Sequence, residues 1–352
     1  MKKVYESILD TVGETPIIRL RSVTKDSPHE FFGKVEAFNP GGSVKDRIAM
    51  ALIEGAEKRG ELKSGGTIIE ATSGNTGLGL ALVAAVKGYR CIFVMPDKIS
   101  EEKRAILRAY GAQVVITPTS VEPDDPRSYL SVTKKIVENT PNSFCTNQYH
   151  NPDNASLHYR QTGPEIWDQM GGDLDVFVGG AGTGGTISGC GRYLKEKKAD
   201  LKVVCADPVG SILYDLFYHK RVVDPPASYK VEGVGEDMLP ENVHLDVMDA
   251  FVKVSDQESF EMTRRLIAEE ALCVGPSSAM ALVGAIKFSK GLEKPSKILV
   301  MFPDSGKSYL SKAFNDHWLM ENGLLDRPAG TERSYARIVS SEQLYSENNW
   351  TF

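Results

Sequence analysis

Lys45 stands directly behind two adjacent glycines and at the start of a predicted helix. Apolar residues recur at helical spacing from Ile48 to Ala56, which predicts that Ser43 caps this helix and that Lys45 lies in its first turn. The positive end of the helix dipole disfavours an ammonium ion there, and burial would lower the lysine pKa further. A lysine amine of this kind can form a Schiff base with an aldehyde. The segment alone fits an ordinary exposed lysine equally well.

A second polar segment, residues 71–77, lies between a predicted strand and a predicted helix. Its hydroxyl groups, its amide and the N–H groups of the helix start converge at the carboxyl end of a strand. Open α/β sheets bind ligands at such ends, and a carboxylate would fit there. The alternative is a loop that caps its own helix through Ser73 or Asn75. One cap does not need so many polar groups.

A third segment, residues 182–186, is rich in glycine and again follows a strand and opens a helix. Backbone N–H groups can surround a phosphate in such a loop, and the helix dipole adds to the attraction. Together with Gly180 the segment also satisfies the G-x-G-x-x-G pattern, and Asp207 follows at a separation that suits a ribose. A nicotinamide-dependent dehydrogenase is therefore a rival hypothesis. It leaves Lys45 and residues 71–77 without a function.

Two apparent motifs fail. Residues 304–308 end like a nucleotide-binding P-loop, but Met301 stands where that loop needs its first glycine. The six histidines show no metal-ligand spacing, so His158 and His317 are predicted to be structural or surface residues. No metal is expected.

The predicted elements alternate between strands and helices, and they form two sets. The alternation calls for parallel, right-handed sheets, so the fold class is α/β with two doubly wound, open-sheet lobes and the site between them. The first set has strands at 67–71, 91–95 and 113–117, with helices at 78–87 and 100–110; the second has helices at 156–170 and 187–197, with strands at 174–178 and 202–205.

Composition limits the classes of partner. A chain of 352 residues usually divides its core into two lobes. The net charge of -6 argues against nucleic acid or an anionic membrane as the main partner. The five cysteines form no C-x-x-C pair, which favours reduced thiols in the cytoplasm over a disulfide framework or a structural zinc site. The N-terminus lacks the apolar core of a signal peptide.

One chemistry accounts for all three segments: an aldehyde cofactor on Lys45, its phosphate at residues 182–186 and an amino-acid carboxylate at residues 72–76. Here the chain resembles the fold-type II pyridoxal-phosphate enzymes of tryptophan synthase β-like architecture, and within them the cystathionine β-synthase and cysteine synthase family. The resemblance spans residues 5–325. It implies that Lys45 carries pyridoxal 5'-phosphate, that Asn75 bonds the ring oxygen and that Ser277 faces the pyridine nitrogen. The phosphate would be held by Gly182, Thr183, Gly184, Gly185 and Thr186.

The resemblance also implies a β-replacement reaction on an amino acid. Residues 147–149, 231–235 and 303–309 look like those of the cystathionine β-synthase catalytic core, whereas residues 162–167 are equally at home in cysteine synthases. Residues 275–279 depart from both patterns, with Pro276 before the ring-facing serine and Ala279 in place of a glycine. The expected reaction joins L-serine to L-homocysteine and gives L-cystathionine. The alternative is cysteine synthesis from O-acetylserine, and a non-catalytic ligand-binding protein is a remoter one.

Further site residues and partners follow from the same resemblance. Lys45 would take the α-proton, and the substrate carboxylate would be held by Thr72, Ser73, Thr76 and Gln148. Tyr149 and Gly235 would lie where the second substrate enters. The family is typically dimeric, so a homodimer is expected, with small-molecule amino-acid and thiol substrates. No haem is expected, because the haem-binding members carry an N-terminal extension before the catalytic core.

Three regions are predicted along the chain. Residues 45–150 would form a smaller, mobile lobe that carries the substrate-carboxylate loop. Residues 1–44 and 151–325 would form a larger cofactor lobe. Residues 326–352 would be a polar C-terminal tail, which is too short for an independently folded regulatory domain of on the order of a hundred residues.

Overall fold

The computed structural model describes residues 4–72, 74–97, 99, 101–118, 121 and 125–326, without the side chain of Glu102. Ser73 and most of the predicted polar tail lie outside the described residues. The strands of the described part are β1 (Ile17–Leu20), β2 (Glu30–Val35), β3 (Thr67–Ala71), β4 (Arg90–Pro96), β5 (Gln113–Thr117), β6 (Ser143–Cys145), β7 (Val176–Gly180), β8 (Lys202–Pro208), β9 (Ala250–Val254) and β10 (Lys297–Phe302).

Helices alternate with these strands through most of the chain. The α-helices are α1 (Lys45–Arg59), α2 (Asn75–Lys87), α3 (Glu101–Ala109), α4 (Tyr129–Glu138), α5 (Asp153–Leu157), α6 (Gly163–Gln169), α7 (Gly185–Lys197), α8 (Leu213–His219), α9 (Asp256–Glu270), α10 (Pro276–Ser289) and α11 (Asp316–Glu321). Short 3-10 helices occur at Ile8–Thr11, Glu36–Phe38, Leu245–Val247 and Gly306–Tyr309, and a π-helical turn occurs at His158–Thr162.

The chain divides into two compact units, Met1–Ser308 and Tyr309–Phe352. The first unit holds both sheets and helices α1 to α10. The second holds α11, which begins after Asn315, whose side-chain oxygen accepts the backbone N–H of Trp318 at 3.2 Å. The predicted division at residues 45 and 150 is a different one and stays a prediction.

The first unit contains two sheets. The larger sheet has the strand order β1-β2-β10-β7-β8-β9, and the smaller has the order β5-β4-β3-β6. Strand β1 pairs antiparallel with β2, and the other pairings among the described strands are parallel. The carboxyl ends of parallel strands lie at the same edge of a sheet, so the loops after β3, β7 and β10 are placed where ligands bind.

Apolar side chains fix helices onto each sheet. Ile53 of α1 and Leu80 and Val83 of α2 belong to one buried cluster with Ile68 and Phe93 of the smaller sheet. Burying each such side chain contributes about 1.5–3 kcal/mol relative to exposing it. A second buried cluster joins the larger sheet to α7; it includes Phe177, Val203, Ile187, Cys190 and Leu194. These contacts hold the first turns of α2 and α7 at the sheet edges.

The structure corrects two local predictions. Helix α1 begins at Lys45 as expected, but its N-cap is Val44 and not Ser43. The backbone of Ser43 pairs with Asp304 in an isolated bridge, although its Oγ still accepts the N–H of Lys45 at 3.2 Å. The single helix predicted at 156–170 is instead α5, the π-helical turn at His158–Thr162 and α6.

Candidate active site

An open cavity lies at the carboxyl end of the larger sheet. Six of the eight predicted cofactor-binding residues line it: Lys45, Gly182, Thr183, Gly184, Thr186 and Ser277. The remaining wall comes from Val44, Phe177, Gly179, Gly180, Ile187, Gly233, Val234, Met301 and Pro303. Gly185 is not on the wall, because a Cβ on it would point at Asn154 Oδ1, 2.0 Å away.

Lys45 is held at the cavity by the segment that follows β10. The N–H of Val44 donates to the carbonyl of Pro303 at 2.8 Å, and the N–H of Ser305 donates to the carbonyl of Gly42 at 3.1 Å. Burial lowers the pKa of Lys45, while the carboxylates of Asp304 and Glu236 act in the opposite direction. A lysine with a lowered pKa offers a larger fraction of neutral, nucleophilic amine.

Asp304 connects three parts of the site, and the sequence analysis assigned it no role. Its carboxylate accepts a hydrogen bond from the side-chain amide of Asn75 at 2.8 Å. Its carbonyl accepts the N–H of Gly275 at 3.1 Å, two residues before Ser277. The sequence signal for Asp304 is an acidic residue two positions after a buried strand. Residues 304–308 also look like the end of a P-loop, which drew attention away from this signal.

The glycine loop before α7 has little room for side chains. Gly184 has φ +84°, and a Cβ on it would lie 2.3 Å from Val243 Cγ2. A Cβ on Gly182 would lie 2.6 Å from the carbonyl oxygen of Gly233. The loop therefore approaches its neighbours through bare backbone. The first N–H groups of α7 lack partners within the helix, which suits a phosphate.

The side chains of Asn154 and His158 hold the two threonine hydroxyls of this loop in place. Thr183 Oγ1 accepts a hydrogen bond from Asn154 Nδ2 at 3.0 Å, and Thr186 Oγ1 lies 3.1 Å from Nε2 of His158. The other ring nitrogen of His158 lies 2.9 Å from Thr162 Oγ1. Burial holds the pKa of His158 well below its usual value, so the ring is neutral. His158 is structural, as predicted.

Ser277 lies in the first turn of α10, where Pro276 occupies the first helical position. Its side chain is buried and lines the cavity. Ala279, which departs from the family pattern, is fully buried in the same turn. A serine hydroxyl at this place can hydrogen-bond a neutral ring nitrogen but supplies no charge.

The predicted substrate residues form a second group. Thr76 Oγ1 donates to Gln148 Oε1 at 2.6 Å, and Thr72 is buried beside them at the end of β3. The backbone carbonyl of Gln148 accepts hydrogen bonds from Asn154 and Asn242 at 3.0 and 3.1 Å. Asn154 also bonds Thr183, so it ties this group to the glycine loop. Neither asparagine was singled out by the sequence.

Gly235 does not line the cavity. It has φ +74°, and a Cβ on it would lie 2.3 Å from Cγ of Pro208, within the protein. The Tyr149 hydroxyl lies near enough to the carboxyl group of Glu236, the residue after Gly235, to affect its pKa. The acceptor entrance predicted at Tyr149 and Gly235 stays a prediction, and Glu236, which the sequence did not single out, lies beside Gly182 of the glycine loop.

The position of Asp207 argues against the dehydrogenase hypothesis, which needs an acidic residue at the ribose. Asp207 is fully buried, and its carboxylate accepts the N–H of Tyr214 at 3.0 Å. It is therefore directed into the protein and not toward a ribose. Among the described residues, no group of three or more acidic, histidine or cysteine side chains could hold a metal ion, and no helix has the length and apolar character needed to cross a bilayer.

A family model described as "Pyridoxal-phosphate dependent enzyme" matches residues 8–304. The chain belongs to this family. Its cofactor is pyridoxal phosphate, as the sequence predicts. The cavity fits this cofactor: Lys45 offers an amine to the aldehyde, the loop before α7 offers N–H groups and hydroxyls to the phosphate, and Ser277 offers a hydroxyl to the ring.

Similar proteins indicate which enzymes of the family this chain resembles. The chain is 45% identical over 325 residues to a cystathionine β-synthase of Dictyostelium discoideum, which covers 92% of this chain and 65% of that relative. It is 39% identical to a cysteine synthase of Staphylococcus aureus, covering 88% and 97% of the two chains. The solved O-acetylserine-dependent cystathionine β-synthase from Helicobacter pylori matches with a TM-score of 0.78 at 39% identity, covering 88% of this chain and 98% of that one. These likenesses confirm the fold-type II architecture. The chain spans just under two thirds of the Dictyostelium relative.

Removing the Thr186 hydroxyl should weaken cofactor binding. In Thr186→Val the loop keeps its backbone but loses one hydrogen bond to a charged phosphate, about 1.5–3 kcal/mol, which corresponds to at least a tenfold rise in the dissociation constant. The measurement is a titration of apoenzyme with pyridoxal phosphate. Thr162→Val is the matched control, because it removes the other hydroxyl partner of His158 and leaves the cavity wall unchanged. An equal loss in both variants would show that Thr186 acts only by anchoring His158.

Proposed function

We propose that this chain catalyses a pyridoxal-phosphate-dependent β-replacement that joins L-serine to L-homocysteine and gives L-cystathionine. The observation that carries the reaction class is the placement of Lys45, with its lowered pKa, on the same cavity wall as the glycine loop and Ser277. The choice of substrates is supported by the 45% identity to a cystathionine β-synthase over 92% of this chain.

The residues of the site take separate parts in this proposal. The backbone of residues 182–186 and the hydroxyls of Thr183 and Thr186 hold the phosphate. Asn75, fixed by Asp304, holds the ring oxygen, and Ser277 faces the ring nitrogen. When bound, the cofactor supplies a conjugated ring that draws electrons from the substrate α-carbon.

The substrate is held by a separate set of groups. Thr72, Ser73, Thr76 and Gln148 would bind its carboxylate. The amine of Lys45 then takes the α-proton, because its lowered pKa keeps it partly neutral. Hydroxide leaves serine only if it is protonated, and the ammonium form of Lys45 is the group that holds a proton at that point. Because Ser277 is neutral, it cannot fix a full positive charge on the ring, which favours elimination over transamination.

A second candidate is cysteine synthesis from O-acetylserine and sulfide. It is supported by the 39% identity to the Staphylococcus aureus cysteine synthase and by the likeness to an enzyme described as O-acetylserine-dependent. Acetate departs without a proton, so in this reaction Lys45 does not have to protonate the leaving group.

A cytoplasmic homodimer with a mobile lobe at residues 45–150 belongs to the same proposal. All five cysteines are free thiols, which suits a reducing compartment. The strands of the smaller sheet, β3 to β6, lie within residues 45–150, which supports this range as a structural unit. The homodimer rests on the family resemblance and is tested by the solution mass of the holoenzyme.

The reaction is tested by offering each donor with each acceptor. Purified holoenzyme is incubated with serine or O-acetylserine, together with homocysteine or sulfide, and the products are identified by mass spectrometry. We expect cystathionine from serine and homocysteine. Cysteine from O-acetylserine and sulfide, with no cystathionine from serine, would move the assignment to cysteine synthase. No product from any pair would favour a binding protein.

A further inference from the structure

Glu236 is held rigidly beside the glycine loop. Its backbone N–H donates to Ser211 Oγ at 3.1 Å, and its carbonyl accepts the N–H of Ile212 at 3.0 Å. The preceding N–H, of Gly235, donates to the carbonyl of Ala181 at 2.7 Å, at the start of the glycine loop. These bonds fix the backbone at residues 235 and 236 beside the glycine loop.

The carboxylate of Glu236 lies next to the cavity wall. Its Oε1 lies 3.7 Å from the position that a Cβ would take on Gly182, which is a cavity residue. The Tyr149 hydroxyl is near enough to lower the pKa of this carboxyl group. Its negative charge also favours the ammonium form of Lys45 and so raises the pKa of that lysine. Asp304 acts on Lys45 as well, but its carboxylate is engaged by Asn75.

The surroundings of Glu236 suit a group that exchanges protons near neutral pH. Burial raises its pKa to about 7, and the nearby charge of Asp237 adds to this effect, whereas the Tyr149 hydroxyl and the charge of Lys45 oppose it. A carboxylate with a pKa near the working pH is an effective acid and base. The other titratable groups that interact with it are Asp207, Tyr129 and Tyr229.

The proposed reaction on serine leaves one proton transfer without a residue. Lys45 takes the α-proton and gives it to the departing hydroxide, which leaves as water and leaves the lysine amine neutral. The α-carbon must regain a proton after the thiol has added. The proton that arrives with the second substrate is the S–H proton of the thiol.

We propose that Glu236 takes the S–H proton of the incoming thiol and passes it to Lys45, which returns it to the α-carbon. This step rests on the proposed β-replacement. The S–H bond breaks, its electron pair stays on sulfur and forms the C–S bond at the β-carbon, and the proton moves from Glu236 to the lysine amine. The transfer needs no oxidant or reductant. With O-acetylserine, Lys45 keeps the α-proton, so the thiol proton on Glu236 passes to solvent.

The test compares Glu236→Gln with Asp237→Asn, a change of the same kind at the exposed neighbouring acid. The holoenzyme is first mixed with donor alone and followed by its visible absorbance, and then with homocysteine or sulfide. We expect the glutamine variant to keep the donor step within about threefold and to slow the acceptor step by about 100-fold at neutral pH, as for loss of a general base. Asp237→Asn should leave both steps within about threefold.

The pH dependence gives a second signature. In the wild type the acceptor step should slow as the pH falls through about 7, because Glu236 becomes protonated. In Glu236→Gln the inflection near pH 7 should disappear. The defect should instead shrink as the pH approaches about 8.5, where a thiol ionises unaided.

A readout without turnover separates proton transfer from a structural role. The dissociation constant of L-cystathionine, measured by calorimetry on the holoenzyme, should change by less than about threefold in Glu236→Gln, since the substitution preserves shape and hydrogen bonding. The resting visible spectrum should also be unchanged. A parallel loss of cystathionine binding, an unaffected acceptor step, or an equal defect in Asp237→Asn would overturn the proposal. Failure of the wild type to consume serine would refute the proposed donor only, because Glu236 can still be tested with O-acetylserine.

Discussion

Replacing Lys45 with alanine should abolish the visible absorbance of the bound cofactor and lower turnover by at least about a thousandfold, since the variant loses both the amine that bonds the aldehyde and the base that takes the α-proton. The fold should persist, because the side chain is partly exposed to the cavity and the backbone contacts of Val44 and Gly42 with residues 303–305 do not depend on it. Circular dichroism checks the fold, and the absorbance and product assays check the chemistry.

Lys58→Ala is the matched control for this substitution. Lys58 lies on the same helix, in its last turn, and its side chain is exposed. Its removal should leave absorbance and turnover unchanged. Borohydride reduction of the wild-type holoenzyme, followed by peptide mapping, should place the cofactor on Lys45. A label on any other lysine would contradict the assignment of the site.

The sequence predicts the reactive loops because each is a local pattern. Residues 182–186 and residues 71–77 each follow a short apolar strand and open a helix, and in parallel sheets such loops must lie at the carboxyl edge. Strands β3 and β5 were predicted with the bounds they have. Cofactor and fold class could therefore be predicted before any contact between distant residues was known.

The residues that sequence reasoning missed act through contacts between distant parts of the chain. Asn75 and Asp304 are 229 positions apart, and their hydrogen bond could not be read from either segment. Glu236 has no local motif of its own; only the folded chain shows that its carboxylate lies beside Gly182 and that its charge acts on the pKa of Lys45. Helix capping also depended on a distant partner, because the pairing of Ser43 with residue 304 moves the cap to the next residue.

The space around a glycine is likewise not visible in the sequence. Sequence alone suggests Gly184→Asp as a test of the phosphate site and Gly235→Leu as a test of the acceptor entrance. Both residues have positive φ, and a Cβ on either would collide with Val243 or Pro208. Such variants would report backbone strain and not ligand binding, so Thr186 and Glu236 are the better probes.

A buried ionic network supports the helix that carries Lys45. The carboxylate of Glu165 accepts hydrogen bonds from Arg47 Nη1 and Nη2 at 2.7 and 2.9 Å, and it pairs with Lys34. Arg47 also donates to Glu36 at 2.7 and 2.9 Å. These side chains are 6% exposed or less, so none of the charges can turn to solvent for compensation. Arg47 is in the first turn of α1, two residues after Lys45.

Glu165→Gln should therefore lower the free energy of unfolding by about 3–5 kcal/mol, the usual cost of removing one partner from a buried ion pair. The glutamine keeps the shape, but Lys34 loses its paired carboxylate and Arg47 keeps only Glu36 as a carboxylate partner. Urea unfolding of the holoenzyme measures the change. Glu61→Gln is the control, because the Arg59–Glu61 pair is 42% and 47% exposed and should contribute less than about 1 kcal/mol.

The pH dependence of this difference identifies its origin. Burial alone would raise the pKa of Glu165, but the hydrogen bonds and charges of Arg47 and Lys34 outweigh it and hold the pKa at about 2. A carboxyl group whose folded pKa lies below its unfolded value of about 4.3 contributes its full stability above that value and loses it as the pH falls. The gap between wild type and Glu165→Gln should hold from neutral pH down to about 4.3 and then shrink toward pH 2. A gap of constant size from pH 7 to pH 3 would show that the lost stability comes from packing and not from the charge of Glu165.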